Sequence, residues 1–565
     1  MIRTALAWGG LVVAAVVVAG CGSDKNDDDS ASGGTTEVGP GSTSEETPTT
    51  GNIIEDPQMV SLAVSRDVDV LFVIDNSGSM AAEQGRLAAS IDAFTDRLEA
   101  ARANYRIGVT TTDAGNPRCP TTMPEGGNLV LSSCLDRVDA GEFLFLDEDF
   151  SSACTDVCAL RDSDLKVLGT STAQDDQKAP RRWVERVEGV SNIGGAEVVE
   201  ALRCYLPQGV AGCGFESQLE SMYLALAKSG DSGSKFNYGF IREQAQLAVV
   251  IVSDETDCSY NQAKDEIFTK NKIYWNSPDD PAPTSALCWR AGVACTGAGP
   301  TYSECHAENH DVAGGSGVAD QDAVLPPISK YIDFLYNLQD GKQQIDKDQR
   351  IKVALITGVP VGYESFKNEL MYEDSPDADI QGSFGIGPGC VLADAGGDAI
   401  GVPPVREREV AEAFQVEDDA RNLYSICQPS YAETLDAIGA VIAADIKPIC
   451  FPNCVLDTDP DSELVEPDCQ IYEQDVIANT ITPLAKCEAG PDAWVLPADA
   501  IACWAPRVDG EGLTPSALDD MSTMCLDYGY NLELEILRGA PLPAGTTYAG
   551  SCALSANKKV DCPNL

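Results

Sequence analysis

Histidine is almost absent: His306 and His310 are the only two in 565 residues. This leaves little for imidazole acid–base chemistry or a histidine metal cage to draw on. Positive charge is scarce as well. Lys and Arg number 38 against 89 Asp and Glu, a formal net charge of −51. Such a chain repels nucleic acid and anionic lipid, which argues against a nucleic-acid partner, and it draws cations. The same acid excess keeps a protein soluble and needs no site to explain it. Long apolar runs are missing with one exception, "ALAWGGLVVAAVVVAG" from Ala5 to Gly20, behind Arg3. The run is short of the about 20 residues of a membrane span. It has the length and flanks of a signal peptide.

Cysteine, by contrast, is plentiful, at 21 residues. Cys21 ends the apolar run in "VAGC", with small residues before it and a polar tail after. This resembles the lipobox of bacterial lipoproteins. The resemblance implies that Cys21 is diacylated and becomes the new N-terminus, a lipid attachment that ties the chain to a membrane. Gly22, where Asp would retain the protein at the inner membrane, implies an outer-membrane lipoprotein, periplasmic or surface-exposed. Without Cys21, 20 cysteines remain between Cys119 and Cys562. An exported chain would pair them, in up to ten disulfides whose connectivity the spacing does not reveal.

Residues 22–56 are Gly, Ser, Thr, Pro and acid, and read as a solvated tether. An alternation of apolar strands and amphipathic helices then begins. "VDVLFVID" (68–75), "YRIGVTTTD" (105–113), "AQLAVVIVSD" (245–254), "RIKVALITGVP" (350–360) and "NLYSIC" (422–427) read as strands. The helical stretches between them place Leu87, Ile91, Phe94 and Leu98 on one face, then cover 216–227, 328–338 and 433–446. Strands alternating with helices predict an α/β fold, a doubly wound, Rossmann-like, mostly parallel sheet over 57–449. Loop-rich, cysteine-rich insertions interrupt it at about 114–200, 258–325 and 361–420. Residues 450–565 read as a small, disulfide-rich, β-rich C-terminal domain.

In a doubly wound sheet, ligands bind at the carboxyl ends of strands where the strand order reverses. "LFVIDNSGSM" (71–80) delivers Asp75, Ser77 and Ser79 to one strand end, and Asp254 ends another. Hard oxygens of this kind suit Mg2+, Ca2+ or Mn2+ rather than zinc or copper. The DxSxS pattern behind an apolar strand resembles the von Willebrand factor type A domain over about residues 66–447. That resemblance implies a metal-ion-dependent adhesion site. Ser77 and Ser79 would coordinate the metal, Asp75 and Asp254 would act mostly through water, and an acidic side chain of a protein partner would complete the shell. Glu255 stands where the family usually has glycine. The family's threonine falls in "GVAGCGFE", at Gly212, Cys213 or Gly214, where no hydroxyl exists. Glu216 is the nearest oxygen side chain. It is either a substitute ligand favouring Ca2+ or a helix-capping acid.

Other features carry less. Cys288, Cys295, Cys305, His306 and His310 suggest a zinc site, but the irregular spacing and an oxidising compartment favour disulfides. "DTDPDSE" (457–463) mimics a calcium loop, yet Ser462 replaces the glycine and Pro460 intrudes. "KAPRRWVER" (178–186) is a lone basic patch, read as an exposed strand edge or loop that could pair with acidic surface nearby. The expectation is a non-enzymatic, metal-dependent binding module. Its rivals are an envelope protein with a degenerate metal site, and an enzyme using the domain as a docking scaffold.

Overall fold

The computed structural model describes residues 60–62 and 66–565, apart from 346, 395–396, 417–419, 460, 463, 476–479, 491–492, 511, 540–545 and 563–564. The signal segment, Cys21 and the 22–56 tether lie outside the described residues. Among the described residues, no helix is long and apolar enough to cross a membrane.

In chain order the elements that matter are β1 (Val60–Leu62), β2 (Asp67–Ile74), α1 (Ala81–Ala89), α2 (Ile91–Ala100), β3 (Asn104–Thr111), the hairpin of β4 (Leu144–Phe145) and β5 (Glu148–Asp149), β6 (Val184–Val187), β7 (Val190–Ser191), α3 (Gln218–Ser229), β8 (Gln246–Val252), α4 (Ile328–Gln343), β9 (Lys352–Thr357), α5 (Val405–Glu412), β10 (Leu423–Ser425) and α6 (Ala432–Ala443). The central sheet has the order β10-β9-β8-β2-β3-β6-β7. Its first five strands are parallel, whereas β6 and β7 join antiparallel. The doubly wound α/β fold expected from the alternation is therefore the fold found.

Its strands are apolar throughout because both faces are covered. Along β2, Val68, Val70, Phe72 and Ile74 pack with Phe94, Leu98, Leu435 and Ile438 on one side. Leu71 and Val73 pack with Leu219, Met222, Tyr331 and Leu335 on the other. This is the two-residue period of a strand buried twice. The stripe Leu87, Ile91, Phe94 and Leu98 is fully buried, although the helix carrying it breaks at Ser90 into α1 and α2.

Two expectations need correction. The 114–200 insertion is more than loop: it supplies β6 and β7 to the sheet edge. In "KAPRRWVER", Lys178 and Arg182 are exposed as expected, and Arg181 and Arg186 pair with Asp175 at 2.9 Å and Glu99 at 3.4 Å, but the middle of the segment is interior. Trp183 and Val184 are buried, and Glu185 pairs with Arg106 at 2.5 Å. The charge pair satisfies two polar side chains inside a sheet, so the segment looks more hydrophilic in sequence than its surroundings are. The second correction concerns β1, which the alternation assigns to the α/β domain. It pairs instead with β-strand Thr546–Cys552, which lies 490 residues downstream in register, Val60 opposite Gly550.

The C-terminal residues form two four-stranded sheets, one of which includes β1. Their core gathers Leu62, Ile449, Phe451, Ile471, Trp504, Leu534 and Tyr548. This unit meets the α/β core at the amino ends of its strands. Arg102, just before β3, reaches Glu535 at 3.4 Å and Glu533 at 3.7 Å.

All 20 cysteines from Cys119 onward are paired. The bonds are 119–213, 134–154, 158–204, 258–288, 295–305, 390–427, 450–525, 454–562, 469–552 and 487–503. Cys288, Cys295 and Cys305 are thereby removed as zinc thiolates. His306 lies 3.7 Å from Glu304, and His310 Nδ1 lies 3.2 Å from the Glu308 carbonyl.

Candidate metal centre

Strands β2 and β8 are neighbours and run parallel to the same level, with Ile74 opposite Val252. The chain passes from β2 to β3 on one side and returns to β8 on the other. The crevice at their carboxyl ends is thus the topological switch point. Asp75 leaves β2 there, and its N–H donates to the Val252 carbonyl at 2.9 Å. Asp254 leaves β8 beside it.

Asp75 is fully buried. Its Oδ1 accepts from the Ser77 N–H at 2.8 Å and its Oδ2 from the Ser253 hydroxyl at 2.6 Å. The first bond turns the loop so that the Ser77 and Ser79 hydroxyls lie 3.3 Å apart. The Ser79 hydroxyl in turn bears on Asp254. Four of the oxygen side chains expected at one spot are brought together. Ser77 and Asp254 are buried and Ser79 is exposed, which opens the cluster to solvent on one side.

Glu216 joins them. It is fully buried, and the Thr112 hydroxyl, at the end of β3, donates to its Oε2. It does not cap α3. The first-turn N–H groups of Leu219 and Glu220 donate to Asp257 Oδ1 at 3.1 Å and Ser259 Oγ at 2.8 Å. Glu216 nonetheless stands two residues before the start of α3, where the helix dipole favours an acid.

The reason no threonine stands at 212 is spatial. A Cβ on Gly212 would come 2.2 Å from Asn76 Oδ1. The Gly212 N–H donates to the Asn76 carbonyl at 2.9 Å. The DxSxS loop and the 208–212 loop are locked together, and the Asn76 amide fills the space a side chain would need. Gln84 makes the same connection from α1. Its Nε2 donates to the carbonyls of Asp75 (2.7 Å) and Gly209 (2.8 Å), and its Oε1 accepts from Gln208 N at 2.8 Å.

Electrostatically the cluster is one-signed. Burial lifts Asp75 to about 6. Burial, then the charges of Asp75 and Glu255, holds Glu216 and Asp254 well above the ordinary carboxylate range. Burial, then Asp75, lifts half-buried Glu255 to about 8. Asp254 Oδ1, Glu216 Oε1 and Glu255 Oε2 are buried without a donor. Among the described residues, no Lys or Arg pairs with any of these acids. Buried carboxylate oxygens with neither donor nor counter-charge are costly. A divalent ion supplies the missing charge, so the donor set fits a hard cation. The carboxylates do not form a triad with oxygens within 4.8 Å of one another. Thr112, Ser253, Gln84 and Glu255 were not legible as site residues. Only Ser253 and Glu255, flanking Asp254, had a signal that could have found them.

No protein-family model and no curated protein matches this sequence. Several solved structures are similar. The von Willebrand factor domain of the type V pili tip protein Mfa5 from Porphyromonas gingivalis is 12% identical, over 68% of this chain and 98% of that one, with a TM-score of 0.26. A von Willebrand factor type A protein from Catenulispora acidiphila is 10% identical, over 88% and 60%, with a TM-score of 0.21. The pilus adhesin SpaC from Lactobacillus rhamnosus GG is 9% identical, over 87% and 40%, with a TM-score of 0.23. The chain thus spans less than two thirds of the latter two. Superposition is weak in every case, and the fold assignment rests on the strand order and switch point described above.

Proposed function

We propose that this chain is an envelope-anchored binding module that captures an acidic side chain of a protein partner through a divalent cation, with an adhesion-like role. Ser77 and Ser79 would hold the ion, Asp75 and Asp254 would hold its waters, and Glu216 would add charge on the buried side. Mg2+, Ca2+ or Mn2+ would supply Lewis acidity and an exchangeable coordination position facing solvent. The observation that carries the reading is the set of buried, donorless oxygens on Asp254 and Glu216 at the switch point. Ser79 is the exposed member of the cluster, so an approaching carboxylate meets the site there. Ten disulfides suit an exported protein, and anchoring by lipid on Cys21 fits that compartment.

The test is a thermal melt of the full chain in EDTA and in each of the three ions. An ion at a hundred times its Kd adds about 2.7 kcal/mol. We expect a rise of a few degrees in the wild type and none in Asp75→Ala. Superimposable melts in EDTA and all three ions would sink the metal-dependent reading.

A further inference from the structure

The 134–158 stretch raises a hairpin directly over the DxSxS loop. Strands β4 and β5 pair Leu144 with Asp149 and Phe145 with Glu148. The two residues between them, Leu146 and Asp147, have φ of 51° and 67°. A tight turn of this kind ordinarily takes Asn-Gly, because side chains resist the left-handed region. Here a leucine sits at the tip and is 81% exposed, with Leu144 and Phe145 beside it at 55% and 40%. Three neighbouring apolar side chains in water, one of them on strained backbone, are the pattern of a contact surface rather than of a fold element.

The hairpin is firmly based. Phe143 is buried, and the Phe150 N–H donates to its carbonyl at 2.9 Å. The Val210 N–H donates to the Glu142 carbonyl at 2.7 Å. Disulfides 134–154 and 158–204 brace the segment. The hairpin also touches the site. A Cβ on Gly78, between Ser77 and Ser79, would meet the Phe145 ring at 2.4 Å. Below it opens a cavity of about 690 Å³, lined by Asn76 and Gly212 on the site side, Gly141 and Glu142 at the hairpin base, and Met123. Met123 is 89% exposed.

We propose that this hairpin is a specificity finger: it packs against an apolar side chain next to the acidic residue that the metal captures. The proposal rests on the metal-dependent reading above and is continuous with that site. The occupant is a protein segment carrying one carboxylate with apolar neighbours. Asp147, Glu148 and Asp149, all exposed, repel a run of acids, so an isolated carboxylate is selected over a polyacidic stretch.

The experiment uses the full chain with Mg2+ or Ca2+ and two densely immobilised peptides of equal length and charge, one centred on Leu-Asp-Leu and one on Ser-Asp-Ser. Metal binding is measured separately by calorimetry. Leu146→Gly removes the side chain and suits the left-handed backbone, so it folds at least as well as the wild type. The wild type should hold the leucine peptide about tenfold tighter, the loss expected on removing one packed apolar anchor. Leu146→Gly should erase that preference with metal affinity unchanged. Equal binding of both peptides, binding of neither, or a preference that survives Leu146→Gly overturns the finger; with metal still bound, the metal-site reading stands. Failure of the metal to bind overturns both.

Discussion

Replacing Glu216 by Gln should move two measurable quantities in opposite directions. The side chain is fully buried, takes one hydrogen bond from Thr112, and leaves Oε1 without a donor. Gln keeps its volume and one acceptor while removing the repulsion from Asp75 and Glu255 that, after burial, raises the Glu216 carboxyl. In EDTA the variant should therefore be more stable at any pH where the wild-type carboxyl is ionised, because the amide carries no charge to desolvate or repel. Metal affinity should fall. Unit charges about 4 Å apart attract by about 1 kcal/mol even at the dielectric of water, and a divalent ion doubles this. A loss of at least about 2 kcal/mol is about thirtyfold in Kd. Paired thermal melts in EDTA and calorimetric titrations with Ca2+ and Mg2+ read both quantities. The decrease should be larger for Ca2+, which takes more oxygen ligands. A variant that is stabilised in EDTA yet binds Ca2+ as tightly as the wild type would refute the reasoning and leave Glu216 a buried neutral acid.

Three further perturbations probe the surroundings. Gly212→Ala forces a Cβ to within 2.2 Å of Asn76 Oδ1, whereas nothing lies within 4 Å of a Cβ on Gly214; Gly212→Ala should weaken metal binding at least about tenfold and Gly214→Ala should not, and equal effects would contradict the locked-loop geometry. Glu407, buried with both oxygens lacking donors, is lifted from 4.5 to about 8 by burial and then by Asp257. The folded chain keeps a proton there that the unfolded chain releases, so stability should fall as pH rises between those values, by up to about 1.4 kcal/mol per unit, and level off above. Urea melts at pH 5, 7 and 8.5 should show that slope reduced in Glu407→Gln; identical slopes would dismiss it. Asp69, fully buried, holds Arg242 at 2.9 Å, and Asp69→Ala should cost about 3–5 kcal/mol in chemical denaturation, as expected for stranding a buried guanidinium; a loss below about 1 kcal/mol would show that Asp67 and nearby carbonyls suffice.

The legible parts of the chain were those whose physics is local. Strands β2 and β8 announce themselves because a strand buried on both faces must be apolar at every position. Asp75, Ser77, Ser79 and Asp254 follow from where those runs stop. Strand β6 stayed hidden because Glu185 and Arg186 interrupt its apolar pattern. The partner that makes Glu185 tolerable, Arg106, lies 79 positions away. The pairing of β1 with a strand near the other end of the chain has no local signature at all. Thr112 and Gln84 read as ordinary polar residues on a strand end and a helix. Only the fold reveals that one hydroxyl reaches Glu216 and one amide ties two loops at the site.

The placement of β1 bears on function through the polarity of the sheet. Arg66 and Arg102 mark the amino ends of β2 and β3. There Arg66 pairs with Glu188 at 2.8 Å, and Arg102 meets the C-terminal unit. The candidate metal centre lies at the other end of β2, eight residues away, about 25 Å at the rise of an extended strand. Because β1 belongs to the C-terminal unit, the chain enters the α/β core from that unit and at the end remote from the site. The carboxyl ends carry the insertion hairpin instead. Connectivity and insertion therefore act at opposite ends of the sheet: one brings this chain's own C-terminal β-sheet to the amino end of β3, and the other sets the hairpin against the loop at the carboxyl end of β2, where the oxygen side chains converge.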